Sequence, residues 1–195
     1  MNSEQVTSEL MTRLQSSGAM LDGHFILTSG RHSNRYIQCA QLCAHTGHAA
    51  WAGEMLAGRM PADLNLVVSP AMGGIIIGHE VARSRKLPFL FTERVEGEMT
   101  LRRGFTLPAG AKIAVVEDVV TSGGSLVEVV KLLKDAGAEV VATAAIVDRS
   151  GGKRPDFGAP FHSLVELQVE TWDPADCPLC LQGSEAVKPG SRDLK

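Results

Sequence analysis

The chain has 195 residues, of which 44% are hydrophobic and 21% charged, with a formal net charge of −3; it is long enough for one domain with a proper core and ordinary in composition for a globular enzyme. No block of clustered Lys and Arg is present, which argues against a nucleic-acid binder. No apolar stretch reaches the length of a membrane span, and the start MNSEQVTSELMTRLQ lacks a charged lead into an apolar signal core, so the cytoplasm is the expected compartment.

Val6, Leu10, Met11 and Leu14 recur at helical spacing and predict an amphipathic first helix that breaks near Gly18. A turn-rich stretch follows. Thr46 suits the cap of a second helix running to about Met60, with Trp51, Met55 and Leu56 facing inward. Leu64 to Val68 reads as a short strand, followed by the loop Ser69-Pro70-Ala71-Met72-Gly73-Gly74 and a helical run from Ile75 to about Arg85. Pro88 to Thr92 is a further strand, and Glu93 to Thr106 is a charged, glycine-containing excursion that returns as LRRGF.

The stretch IAVVEDVVTSGGS, Ile113 to Ser125, carries the strongest signal. Ile113, Ala114, Val115 and Val116 form a continuous apolar run, as expected for a strand of a parallel sheet covered on both faces. The run stops at two adjacent carboxylates, Glu117 and Asp118, and passes through Val119 and Val120 into Thr121-Ser122-Gly123-Gly124-Ser125. Ser125 and Glu128 have capping-box spacing, and Leu126, Val129, Val130, Leu132 and Leu133 supply the apolar stripe of a helix closed by Gly137. Free backbone N–H groups and the helix dipole at such a start favour a phosphate. Two carboxylates beside a phosphate would repel it unless they held something else, such as sugar hydroxyls or a divalent cation. A phosphorylated sugar satisfies both halves.

Val140 to Val147 is predicted as a further strand ending at Asp148-Arg149, and the tail from Asp173, rich in Pro, Gly and polar residues, is expected to lie over the surface. Strands alternating with helices imply an α/β fold whose parallel sheet is flanked by helices. Ligands of such sheets bind beyond the carboxyl ends of the strands, where Ser69 to Gly74, Glu93, Arg94, Glu117 to Ser125, Asp148 and Arg149 all fall. Four cysteines form two close pairs, Cys39 with Cys43 and Cys177 with Cys180. Cys177-Pro-Leu-Cys180 has half of a zinc-site spacing, and Cys39, Cys43, His45 and His48 form another conceivable set; free thiols are the expectation for both.

The Ile113 to Ser125 segment resembles the phosphoribosyl diphosphate signature of the type I phosphoribosyltransferases. A second segment, His24-Phe25-Ile26-Leu27-Thr28-Ser29-Gly30-Arg31-His32-Ser33, has the form F-x-L-x-S-G-x-x-S ahead of an aromatic position, here Tyr36, and is similar to the N-terminal part of the orotate phosphoribosyltransferases. The likeness runs from about Gly23 to Gly152. It implies a single phosphoribosyltransferase domain over 1–195, with a core at about 46–160, a small hood formed by about 1–45 and the C-terminal tail, and a flexible loop.

The implied reaction transfers the phosphoribosyl group of 5-phosphoribosyl 1-diphosphate to orotate with Mg²⁺, giving orotidine 5-phosphate and diphosphate in de novo pyrimidine (UMP) biosynthesis, in a homodimer with shared active sites. Another nucleobase as acceptor, or a non-catalytic regulator that senses phosphoribosyl diphosphate, are the alternatives. The resemblance implies that Glu117 and Asp118 hold the ribose hydroxyls and that Val119 to Ser125, with Thr121, Ser122, Gly123 and Gly124, hold the 5-phosphate. Ala71, Met72, Gly73 and Gly74 would form the diphosphate loop, Tyr36 and Ile37 would line the base pocket, and Thr121 and Arg149 would contact orotate. Magnesium would be held mainly through substrate and water, with no direct protein ligand assigned.

One departure from the family pattern concerns the mobile loop. Family members commonly carry an Arg-Lys pair, a further Lys and a His there, whereas Arg94 is followed by Val95 and VEGEMTLRRGF contains neither Lys nor His. Arg94, Arg102 and Arg103 are the substitutes, acting as fixed charges because arginine does not release its proton near neutral pH. Two other family lysines are replaced by Thr28 and Gly73. His24 and His32 flank the N-terminal motif as further candidates for ligand contact.

Overall fold

Ile113, Ala114, Val115 and Val116 have no exposed surface in the computed structural model, which describes residues 1–27 and 29–189; Thr28 lies outside them. The four residues alternate between two cores. Ala114 and Val116 face one hydrophobic cluster, Ile113 and Val115 the other, as the twofold period of a strand between two layers requires.

The helices α1 (Ser3–Ser16), α2 (Cys39–Ala44), α3 (Thr46–Ala57), α4 (Gly74–Arg85), α5 (Gly124–Asp135) and α6 (Pro178–Leu181) alternate with strands β1 (Met20–Ile26), β2 (His32–Ile37), β3 (Leu66–Pro70), β4 (Phe89–Val95), β5 (Glu98–Leu101), β6 (Lys112–Val120), β7 (Glu139–Asp148), β8 (Phe161–Glu166) and β9 (Thr171–Trp172). The main sheet runs β5-β4-β3-β6-β7-β8, with only β5 antiparallel to its neighbour. Val6, Leu10 and Leu14 of α1 are buried, as are Leu56 of α3 and Ile77 and Val81 of α4, all in the first cluster. Leu126, Val129, Val130 and Leu133 of α5 fill the second.

A smaller sheet, β1-β2-β9, stands apart. Its tail contacts are specific: Arg31 donates to the Thr171 carbonyl at 2.9 Å and pairs with Asp173 at 2.9 Å. Val187 exchanges backbone hydrogen bonds with His24 and Ile26, so the tail after Asp173 is tied to the hairpin rather than simply laid over the surface.

Three local readings are corrected and a fourth is made specific. The strand does not stop at Glu117: β6 continues to Val120, because Glu117, Val119 and Val120 are paired with Ala145, Val147 and Asp148 of β7. The Ser125–Glu128 capping box does not form; Gly123, at φ 77°, is the N-cap, and Glu128 instead pairs with Arg94 at 2.8 Å. Thr46 is the first helical residue of α3, after a His45 cap that makes no side-chain hydrogen bond, and Trp51 is half-buried under Arg13, whose guanidinium lies 4.7 Å from its ring. The charged excursion after Thr92 is a hairpin, β4 and β5 turning at Glu96 and Gly97.

Candidate active site

Glu117 and Asp118 stand at the carboxyl end of β6, beside the loop that leads into α5. Burial raises the pKa of both, and the nearby Asp118 charge raises that of Glu117 further. Backbone amides offset part of this: Asp118 N–H donates to Glu117 Oε1 at 3.1 Å and Val119 N–H to Asp118 Oδ1 at 2.8 Å. The oxygen-only donor set suits sugar hydroxyls or a hard cation such as Mg²⁺, and either would favour the ionised forms that burial disfavours.

Two glycine loops converge on this pair. A Cβ built on Gly73 would lie 2.6 Å from Asp118 Oδ1, and one on Gly74 would lie 2.8 Å from the Val116 carbonyl and 3.1 Å from Glu117 Oε1. The loop after β3, with Met72 82% exposed at its tip, therefore rests directly on the carboxylates. On the other side Val119, Val120, Thr121, Ser122, Gly123, Gly124 and Ser125 line a cradle of about 60 Å³ together with Glu117 and Leu126. Gly123 has to be glycine twice over: its φ of 77° is left-handed, and a Cβ would strike Phe157 at 2.9 Å.

Arg149 follows the end of β7, its N–H donating to the Val120 carbonyl at 2.7 Å. Asp148 does not pair with it. That carboxylate is 2% exposed and takes Arg154 Nη1 at 3.0 Å and the Ser150 N–H at 2.8 Å. Arg149 Nε is consequently buried with no hydrogen-bond partner among the described residues, and burial lowers its pKa, with Cys39 and Tyr36 as its electrostatic neighbours. A buried guanidinium N–H without an acceptor is costly unless a ligand supplies one. Tyr36 packs on Phe25, ring centroids 5.8 Å apart, while Ile37 is buried in the first core. A cavity of about 460 Å³, lined by Asp148, Gly151, Gly152, Glu166, Leu167 and Gln168, opens beyond β7 and β8 rather than at the acidic pair.

The phosphoribosyl transferase domain model matches residues 49–176. Orotate phosphoribosyltransferase of Thermotoga maritima is 55% identical over 183 residues, 93% of this chain and 97% of that protein. The chain belongs to the orotate phosphoribosyltransferase family. It is accordingly a pentosyltransferase. The orotate phosphoribosyltransferase of Desulforamulus reducens is 49% identical over 195 residues, spanning the whole of both chains. Among solved structures, the orotate phosphoribosyltransferase of Aeropyrum pernix superposes with a TM-score of 0.70 at 25% identity, covering 81% of this chain and 93% of that one.

Within this orotate phosphoribosyltransferase fold the loop arginines have partners of their own. Arg103, at φ 58°, forms a two-pronged pair with Glu93, Nε to Oε2 at 2.9 Å and Nη2 to Oε1 at 2.8 Å, and lies over Phe91. Arg94 pairs with Glu128 and donates to the Gly97 carbonyl. Arg102 is exposed, and its guanidinium makes no hydrogen bond among the described residues. The structure thus gathers Glu117, Asp118, Met72 to Gly74 and Val119 to Ser125 at one place, sets Arg149 near Tyr36, and leaves Arg94, Arg102 and Arg103 on the β4–β5 hairpin.

The cysteines are sorted by burial. Cys39 and Cys43 are buried, and their thiols are pushed up, Cys43 to about 12, by desolvation first and the Asp118 charge second, which keeps them protonated and inert. Cys177 and Cys180 meet His24 and His32 instead of another cysteine pair. Sequence spacing offered half of that set; the two histidines come from a hairpin about 150 positions away and had no spacing signal. The described residues include no helix long and apolar enough to cross a membrane.

Proposed function

We propose that the cleft above β3, β6 and β7 binds 5-phosphoribosyl 1-diphosphate and orotate together and transfers the phosphoribosyl group to orotate, releasing diphosphate and orotidine 5-phosphate for pyrimidine biosynthesis. The observation that carries the choice of orotate is Arg149 Nε, buried without an acceptor among the described residues and an electrostatic neighbour of Tyr36. Orotate differs from uracil by a carboxylate, and a guanidinium binds a planar carboxylate through two parallel hydrogen bonds.

In this reading the amides and hydroxyls of Thr121 to Ser125 hold the 5-phosphate at the start of α5. Glu117 and Asp118 accept the ribose hydroxyls and fix the ring, and the loop Ala71 to Gly74 faces the diphosphate. Thr121 and Tyr36 complete the base side with Ile37 behind them. Positive charge develops on the ribose as its bond to the diphosphate stretches, so two carboxylates beside the ring stabilise that state directly. Mg²⁺ would be held mainly through the substrate that Glu117 and Asp118 anchor, and would supply neutralisation of the leaving diphosphate. Alignment of the two substrates provides the rest.

Arg102 and Arg103 act on the leaving diphosphate from the hairpin. Arg103 reaches it only by exchanging Glu93 for the ligand, whereas Arg102 has no hydrogen-bonded partner among the described residues to give up. We place these arginines across the interface of a cytoplasmic homodimer, and the small β1-β2-β9 sheet with the tail as the hood over the base.

The test is turnover with Mg²⁺, phosphoribosyl diphosphate and a panel of bases. Consumption of orotate with release of diphosphate is expected. Turnover of adenine or uracil in its place would overturn the assignment, and binding of phosphoribosyl diphosphate without turnover of any base would make the chain a sensor.

A further inference from the structure

His24, His32, Cys177 and Cys180 bring four ligand atoms, all within 4.8 Å of one another, to one point between the β1–β2 hairpin and the C-terminal tail. His24 Nε2 lies 2.9 Å from His32 Nδ1, 3.4 Å from Cys177 Sγ and 3.8 Å from Cys180 Sγ, and His32 Nδ1 lies 3.3 Å from Cys180 Sγ. Zinc–nitrogen and zinc–sulfur bonds of ~2.0 and ~2.3 Å place the corners of a tetrahedron roughly 3.3 Å apart for two nitrogens and about 3.5 Å for nitrogen and sulfur. The four separations fall within about half an ångström of those edges.

Hydrogen bonding alone accounts poorly for this convergence. His24 Nδ1 is 3.1 Å from the Ser184 carbonyl, which accepts only, so that nitrogen carries the proton and Nε2 presents a lone pair. That single lone pair then faces His32 and both thiols. A cation at the centre takes one pair from each of the four groups. The Ser184 carbonyl is then the outer partner that fixes the tautomer of a ligating histidine. His24, His32 and Cys177 are 5%, 8% and 0% exposed, so three of the four ligands are buried, and Cys180 closes the set from the solvent side.

The local folds present the ligands. Irregular pairing between Asp22 and Phe25 of β1 turns His24 toward His32 on β2. Cys177 precedes Pro178 at the start of α6, and Leu181 N–H donates back to the Cys177 carbonyl, which folds Cys-Pro-Leu-Cys into a tight knuckle with both sulfurs on one side.

We propose that these residues form a structural zinc site. Two thiolates and two imidazoles in a tetrahedral set select zinc over the harder Mg²⁺. All four positions are filled by protein, so the ion is no catalyst; it staples the tail to the hairpin that carries Tyr36. Both thiols lose their protons to solvent on binding.

The protein purified without chelator is desalted and its metal measured by mass spectrometry against protein concentration. One zinc per chain is expected, none in Cys177→Ser/Cys180→Ser, and a thermal midpoint lower by roughly 5–10 °C in that variant. Because the variant can fail to fold, the intact chain is also refilled with Co²⁺ under reducing conditions; thiolate-to-cobalt charge-transfer absorption with tetrahedral visible bands supports the site. Absence of bound metal together with no such absorption overturns the proposal. So does zinc retained at full stoichiometry by the variant, or iron or copper in its place.

Discussion

Asp148 is joined to Arg154 at 3.0 Å and not to its neighbour Arg149. That choice leaves the Arg149 guanidinium with a buried N–H that has no partner among the described residues, just past the end of β7, where a ligand carboxylate can take it. Arg154 also stacks over Phe161, its guanidinium 4.8 Å from the ring, which holds the pair in place.

Replacing the guanidinium therefore removes an interaction made by the base and not by the sugar. Arg149→Ala is expected to raise the KM for orotate about 10- to 100-fold, and that for phosphoribosyl diphosphate by less than about threefold. Steady-state kinetics with each substrate varied in turn checks this. A larger effect on phosphoribosyl diphosphate would place Arg149 elsewhere. Arg154→Ala, by freeing Asp148 to capture Arg149, should raise the orotate KM in the same direction.

Asp118 meets the loop glycine Gly73 on one side and the Val119 N–H on the other. Asp118→Asn keeps the shape and removes the charge, so kcat should fall at least about 100-fold with the fold intact. An unchanged rate would remove Asp118 from the mechanism.

The acidic pair also predicts how stability depends on pH. Glu117 is raised from an ordinary 4.5 to about 9, so above the ordinary value the unfolded chain has released a proton that the folded chain retains. The folded state then binds more protons, and stability falls as pH rises across that window. Glu117→Gln should accordingly raise the thermal midpoint of the ligand-free protein at pH 9 by ~3–5 °C, with little change at pH 4, while lowering activity. Calorimetry at the two pH values decides it, and a variant less stable at pH 9 would contradict the cause assigned to the shift.

Gly73 leaves no room for a side chain, since its Cβ would stand 2.6 Å from Asp118 Oδ1. Gly73→Ala must move either the carboxylate or the loop. A loss of activity larger than the loss of stability is expected, read from kcat and the thermal midpoint of the same preparation; equal activity in the two proteins would show that the loop adjusts freely.

Arg103 is exposed and bonded to the half-buried Glu93 in a pair open to solvent. Pairs of this kind contribute little to stability, so Arg103→Ala should shift the thermal midpoint by less than about 2 °C. If Arg103 serves the leaving diphosphate, kcat should nonetheless drop about tenfold or more. Full activity would assign it to the hairpin alone.

The architecture of IAVVEDVVTSGGS was legible because a strand, an acidic edge and a helix start are contiguous, and each is a matter of local pattern. The parallel sheet followed from strands alternating with helices for the same reason. Choices among partners were not legible. Glu128 has the spacing of a capping residue, yet it bonds Arg94 from a hairpin that only the fold brings alongside α5. Glu117 reads as the edge of a strand, yet β7 supplies pairing that carries β6 three residues further. Arg149 has Asp148 beside it in sequence, yet alternation in a strand and the reach of Arg154 separate them. Cys177 and Cys180 announce a metal-ligand spacing, but their histidines are distant in sequence and arrive through the β1–β2 hairpin and the tail strand β9. Sequence by itself thus determined the glycine and hydroxyl loop at the start of α5, the acidic pair and the class of fold, because these depend on neighbours along the chain. Only the tertiary structure decided which charges are satisfied and which are left open for a ligand, because pairing depends on distance through space and on exclusion of water.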